Sequence, residues 1–171
     1  MNDYIIKVEN LVKRFGQLVA VDNISFTVAP GEIFGFLGPN GAGKTTTINI
    51  LCTLSKPTAG RAMINGYDVV RQQSQVRRSI GLVFQDSSLD ERLSGLQNLR
   101  FHALVYNLPA SARRWWSFYV FWMVELWDRR KGEVRTYSGG MKRRLELARG
   151  LLHHPKVLFL DEPTLGLAPQ T

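Results

Sequence analysis

The run Gly38-Pro39-Asn40-Gly41-Ala42-Gly43-Lys44-Thr45 constrains this chain more than any other feature of its sequence. It matches G-x-x-x-x-G-K-[ST] and sits in the matching context: residues 32–37 read as a short apolar strand, and residues 44–54 as a helix. The glycines let the backbone fold so that successive N–H groups face one anion. The helix beginning near Gly43 adds the partial positive charge of its N-terminus. Lys44 is placed to reach the β- and γ-phosphates of a nucleotide, and the Thr45 hydroxyl to ligate Mg²⁺. A Gly-rich turn with a stray lysine is the competing reading.

Composition narrows the setting. A chain of 171 residues and 19.4 kDa has the size of one domain, and 44% hydrophobic residues exclude a disordered tail. Twenty-two Lys and Arg against 14 Asp and Glu give a net charge of +8, which admits a nucleotide, a nucleic acid or a membrane surface as partner. Ten of those 22 basic residues lie within 113–149, so the excess is regional. The single cysteine, Cys52, excludes a disulfide framework and a cysteine-rich metal site, and fits a reducing, cytoplasmic setting. No leader pattern follows Met1. The longest nearly unbroken apolar run, residues 115–124, is shorter than the ~20 residues a spanning helix needs, so the chain is expected not to cross a membrane by itself.

Residues 4–8 and 18–28 read as antiparallel strands, Pro30-Gly31 and residues 56–60 as turns, and residues 61–64 and 80–84 as further strands. Residues 89–130 turn mostly helical. Ser138-Gly139-Gly140 opens a helix running to about residue 153, and residues 157–160 form a fully apolar strand of the kind buried in a parallel sheet. This alternation predicts an α/β fold with a helical insertion. Residues 1–88 would supply N-terminal strands and a phosphate-binding core, residues 89–135 a helical subdomain, and residues 136–171 the return to the core.

The apolar strand ends in Asp161-Glu162. Ligands of parallel sheets sit at the carboxyl ends of strands, which would put Asp161 near the phosphate loop, holding Mg²⁺ directly or through water. Glu162, pointing elsewhere on the strand, would polarise an attacking water. Two solvated acids closing a strand are the alternative. The Ser138-Gly139-Gly140 helix start is a second anion site, with serine as N-cap and glycines exposing N–H groups. One nucleotide does not easily fill both sites within one monomer. Two monomers facing each other would each supply half; an ordinary capped helix is the other reading.

Taken together, the phosphate loop, the Ser-Gly-Gly element and the Asp-Glu strand, in this order and spacing, resemble the ATP-binding subunit of an ABC transporter. The resemblance implies a P-loop NTPase core with a parallel sheet, N-terminal antiparallel strands and a helical subdomain. It implies ATP and Mg²⁺ as cofactors, with Gly38, Pro39, Asn40, Gly41, Ala42, Gly43, Lys44, Thr45 and Thr46 around the phosphates and Phe15 stacking on adenine. It places Thr45, Gln85 and Asp161 at the metal and makes Glu162 and Gln85 catalytic. Ser138, Gly139 and Gly140 would close over the γ-phosphate bound to the opposite monomer. Leu165-Gly166-Leu167-Ala168 falls where the family has its inter-monomer loop. Tyr137–Met141 and the run ending in Pro169-Gln170-Thr171 look most like the drug-resistance exporter branch, similar to daunorubicin-type subunits. The implied partners are a second ATP-binding subunit, in a homodimer, and separate transmembrane permease subunits at the cytoplasmic face of the membrane, with no nucleic acid. A soluble, non-transport ABC ATPase acting on nucleic acid is the runner-up, but basic residues 142–149 are expected to be a signature helix with a solvated face.

Three departures from the family pattern lead to a further alternative, a truncated and hydrolysis-impaired fragment. The sequence stops at Thr171, and His102, His153 and His154 all precede Asp161, so none has the position of the family's switch histidine. His153 and His154, expected at a helix end, would complement its dipole. Ala168 stands where the family usually has aspartate. Residues 115–127 hold all four tryptophans where an amphipathic helix is expected. That block reads as a docking face, a buried helix, or a displaced reading frame: one permitted back-translation of residues 114–123, read from its third base, gives Val-Val-Glu-Leu-Leu-Arg-Leu-Leu-Asp.

Overall fold

The computed structural model describes residues 3–84 and 87–161, which divide into two compact units, residues 3–80 and 81–161. In the first unit, β1 (Ile6–Phe15) and β2 (Leu18–Val28) form an antiparallel hairpin in which Phe15 pairs with Leu18. β3 (Ala59–Ile64) adds antiparallel to the other edge of β1, and β4 (Tyr67–Asp68) follows it, giving the order β2-β1-β3-β4. The β3–β4 link is the pair Asn65-Gly66, with φ of 49° and 80°. That is the left-handed pair a two-residue hairpin turn of matching twist requires. Irregular register in the middle of β1 coincides with Asn10 at φ 49°, whose side-chain amide donates to the Asn23 side-chain oxygen of β2 at 3.1 Å. Helices α1 (Lys44–Leu51) and α2 (Gln73–Ser79) complete the unit. Its buried apolar residues include Ile6, Val8 and Leu11 of β1, Ile50 and Leu51 of α1, Ile64 of β3 and Val76 of α2.

Residues 32–37, expected as a strand, are not in a ladder. Their extended alternation is present: Phe34 stacks on Phe26 of β2 at 5.2 Å, and Phe36 meets Phe26 edge-on at 5.3 Å. Ile33 and Leu37 point the other way, 99% and 97% exposed. Aromatic packing therefore fixes this segment, because no strand of its own unit offers the hydrogen-bond partners a ladder needs.

The second unit begins within β5 (Ile80–Val83), which pairs in parallel with β6 (Val157–Leu160); the Asp161 N–H continues the pairing to the Val83 carbonyl at 3.0 Å. Helices α3 (Gly95–Val105), α4 (Ala110–Met123) and α5 (Gly139–Leu151) surround a core that includes Leu99, Phe121, Leu126, Val134, Leu145 and Leu152. Ser94 and Gln97 close α3 with a reciprocal capping box, Ser94 Oγ accepting at 3.2 Å and Gln97 Oε1 at 2.8 Å. The tryptophan-rich stretch divides by face: Ser117, Val120, Phe121 and Val124 are buried at helical spacing, while Trp115, Phe118, Tyr119 and Trp122 are exposed. α4 is thus half-buried, in place of the fully buried alternative. No helix among the described residues is long and apolar enough to cross a membrane. The mixed α/β architecture is the expected one.

Candidate functional site

In the first unit, the phosphate-loop motif forms an exposed loop that enters α1 through Gly43, which caps the helix at φ 82°. A Cβ on Gly43 would lie 2.2 Å from the Ala20 carbonyl oxygen, so β2 backs directly onto the loop's last turn and only glycine fits. Gly41 also has a left-handed backbone, φ 83°, with open space around it. The Lys44 ammonium curls back over the loop and donates to the carbonyls of Gly38 at 2.7 Å and Pro39 at 2.8 Å. The Thr47 hydroxyl, buried, donates to the Gly43 carbonyl at 2.9 Å and locks the first turn. Thr45 remains exposed at the mouth of the loop, Thr46 is half-buried, and Pro39, Asn40 and Ala42 are exposed. Phe15, at the end of the β1–β2 hairpin, is 53% exposed, with the Lys13 ammonium 4.7 Å from its ring centre. An exposed aromatic ring and an exposed glycine-rich loop are features a purine nucleotide can use.

In the second unit, Ser138 caps α5 and its hydroxyl accepts from the Met141 N–H at 3.3 Å. Gly139 and Gly140 have nothing within 4 Å of where a Cβ would stand, which leaves the helix start open. Asp161 lies at the end of β6, half-buried, with its carbonyl 3.4 Å from Arg143 Nη2. Gln85, Glu162 and residues 165–171 lie outside the described residues.

The middle of α5 departs from the expected solvated basic face. Arg143 and Glu146 are buried. Arg143 donates to the Phe84 carbonyl, and Glu146 accepts from the Ser88 N–H at 2.7 Å and the Ser87 hydroxyl at 3.1 Å. These contacts hold the backbone on both sides of residues 85–86. Arg149 Nη2 pairs with the second Glu146 oxygen at 2.7 Å. Sequence reasoning missed this cluster; the Arg143, Glu146, Arg149 spacing of three, which aligns one helix face, was the available signal.

His153 and His154 lie past the end of α5. His153 stacks on Tyr106 at 3.8 Å and His154 meets Trp116 at 3.4 Å, so both rings at this helix end are also packed against aromatic side chains. Burial, then the charges of Arg149 and His153, push His102 down to about 4. Among the described residues no group of three or more His, Cys, Asp and Glu is placed to hold a metal. A nucleotide-borne Mg²⁺ takes only one or two protein oxygens, so the exposed Thr45 hydroxyl fits that ion without such a cluster.

The family model described as ABC transporter matches residues 21–165. A daunorubicin resistance ATP-binding protein of Streptomyces coeruleorubidus is 46% identical over 170 residues, 99% of this chain and 54% of the relative. A doxorubicin resistance ATP-binding protein of Mycobacterium tuberculosis is 47% identical over 173 residues, 99% of this chain and 52% of the relative. The chain therefore spans about half the length of these curated relatives. Among solved structures, a dimeric ATP-binding cassette in a post-hydrolysis state with ADP and Pi has a TM-score of 0.84 at 28% identity, covering 96% of this chain and 76% of that one. CbiO1 from Clostridium perfringens, part of the ABC transporter complex cbiONQ, has a TM-score of 0.86 at 32% identity, covering 98% of this chain and 69% of that one.

Proposed function

Because the chain belongs to the ABC transporter family, we propose that it is the ATP-binding and hydrolysing part of an exporter, acting as a dimer at the cytoplasmic face of separate membrane subunits. The observation that carries this reading is the phosphate loop: Gly43 seated against Ala20, with Lys44 folded over the carbonyls of Gly38 and Pro39. An arriving triphosphate would draw the Lys44 ammonium off those carbonyls and onto its β- and γ-oxygens. The backbone of Gly38–Thr46 would wrap the phosphates and Phe15 would stack on the base. When bound, Mg²⁺ neutralises the β- and γ-phosphate charge. Thr45, Asp161 and Gln85 are the residues assigned to hold it.

Hydrolysis needs charge stabilisation at the γ-phosphate and an oriented water. Glu162 would take the water's proton. Ser138, Gly139 and Gly140 of a second copy would donate to the γ-phosphate, which supports closure of two chains over two nucleotides. The open start of α5 fits that role. Gln85 would carry the change to the membrane subunits. The names of the two relatives favour a drug-like cargo.

Thermal unfolding with Mg-ATP tests the reading. A ligand at about 100 times its Kd stabilises the native state by roughly 2.7 kcal/mol. That is about 5–10 °C for a chain this long. Lys44→Ala should abolish the shift while leaving the melting temperature without nucleotide within about 2 °C, because among the described residues the Lys44 ammonium bonds only to its own loop. No protection of the unsubstituted chain, or equal protection of the variant, refutes it.

A further inference from the structure

We propose that the cavity between α3, α4 and residues 127–130 is a binding site for a small amphipathic anion: an alkyl chain or aromatic ring system bearing one acidic headgroup. The cavity is about 900 Å³. That falls in the range of small-molecule sites. Three aromatic rings in sequence form one wall. Trp115 and Phe118 are 6.2 Å apart between ring centres, and Phe118 and Trp127 are 4.7 Å apart, edge to face. The Arg130 guanidinium lies 3.7 Å over the Trp127 ring and donates to the Trp127 carbonyl at 2.7 Å, which fixes a cation at the end of the wall.

Two further arginines, Arg100 and Arg113, line the same space, and among the described residues no carboxylate does. None of the three forms an ion pair with any described residue, although six other ion pairs occur among those residues. Like charges gathered in one concavity repel and are left without compensation until an anion enters. The headgroup would meet these guanidinium groups, while the apolar body lies along the aromatic wall. This site uses none of the residues assigned to nucleotide binding.

The test is calorimetric titration of the whole chain with decanoate below its micelle concentration, followed in parallel by tryptophan fluorescence, since Trp115 and Trp127 line the site. Decanol and decyltrimethylammonium are the uncharged and cationic controls. Decanoate should bind once per chain, about tenfold or more tighter than decanol, and weaken with added salt. Arg100→Gln/Arg113→Gln should weaken decanoate about tenfold or more. Decanol binding should stay unchanged, as should the melting temperature. Decanol binding as tight as decanoate, an unchanged affinity in the double arginine variant, or binding only to phosphatidylglycerol vesicles would each overturn the proposal.

Discussion

Glu146 is the strongest test of how this chain is held together, because its structure and its sequence predict opposite outcomes. On a basic helix read as solvated, truncating one acid should cost almost nothing. In the structure, Glu146 is 1% exposed, pairs with Arg149 and accepts from the Ser88 N–H and the Ser87 hydroxyl. Glu146→Ala would strand the Arg149 charge and an amide in low-dielectric surroundings. Removing one partner of a buried pair costs about 3–5 kcal/mol. That corresponds to a drop of roughly 6–20 °C in melting temperature for a chain of this length. Replacing both partners, Glu146→Leu with Arg149→Met, should recover much of the loss, since hydrophobic isosteres of buried pairs are often neutral. The exposed pair Lys142–Glu91 is the internal control, and Lys142→Ala should cost under about 1 kcal/mol. Urea unfolding followed by circular dichroism gives all three values. A Glu146→Ala loss no larger than that of Lys142→Ala would refute the buried-clamp argument.

Gly43→Ala should both destabilise the chain and remove Mg-ATP protection, because its Cβ would lie 2.2 Å from the Ala20 carbonyl; full thermal protection in this variant would contradict the loop geometry. His102 is held at about 4 against an ordinary 6.5. The unfolded chain therefore binds the proton first, and the stability present above pH 6.5 should fall with acidification, by about 2 kcal/mol at pH 5, in urea titrations that flatten for His102→Gln. Burial alone would raise the Asp68 carboxyl, but the N–H groups of Arg71 and Val70 and the Arg61 guanidinium outweigh it and hold it below 3.8. Its contribution should persist above that pH and vanish below it, and Asp68→Ala should cost about 1.5–3 kcal/mol at pH 7 in the same assay.

The phosphate loop, the Ser138 cap and strand β6 were legible because each depends on a few adjacent residues whose chemistry admits little else. α2 and β4 were not, although Asn65-Gly66 marked the hairpin in plain sight. Residues 32–37 were read as a short apolar strand; the structure keeps the side chains alternating, Phe34 and Phe36 one way and Ile33 and Leu37 the other, but without a ladder. A ladder, however, needs a partner that local pattern does not supply. Arg143 and Glu146 were misjudged because charge on a helix reads as solvent-facing, while their partners lie 59 residues upstream for Arg143 and 58 or 59 for Glu146. In α4, composition alone could not separate a buried face at Ser117, Val120 and Phe121 from an aromatic face outside it. Gln85 and Glu162, which complete the candidate site by resemblance, fall outside the described residues.

The stretch Ile33-Phe34-Gly35-Phe36-Leu37 also bears on the life of the chain before it does any work. It is extended, uncharged and free of proline, and its backbone lacks a neighbouring strand within its own unit. Such a segment is a template for the same segment of another molecule. While it is uncovered, the outcome of synthesis depends on concentration: a dilute chain has time to fold, a crowded one meets its own copies first. The yield of soluble protein should then fall as chain concentration rises, and a chaperone that occupies Ile33 and Leu37 should raise it.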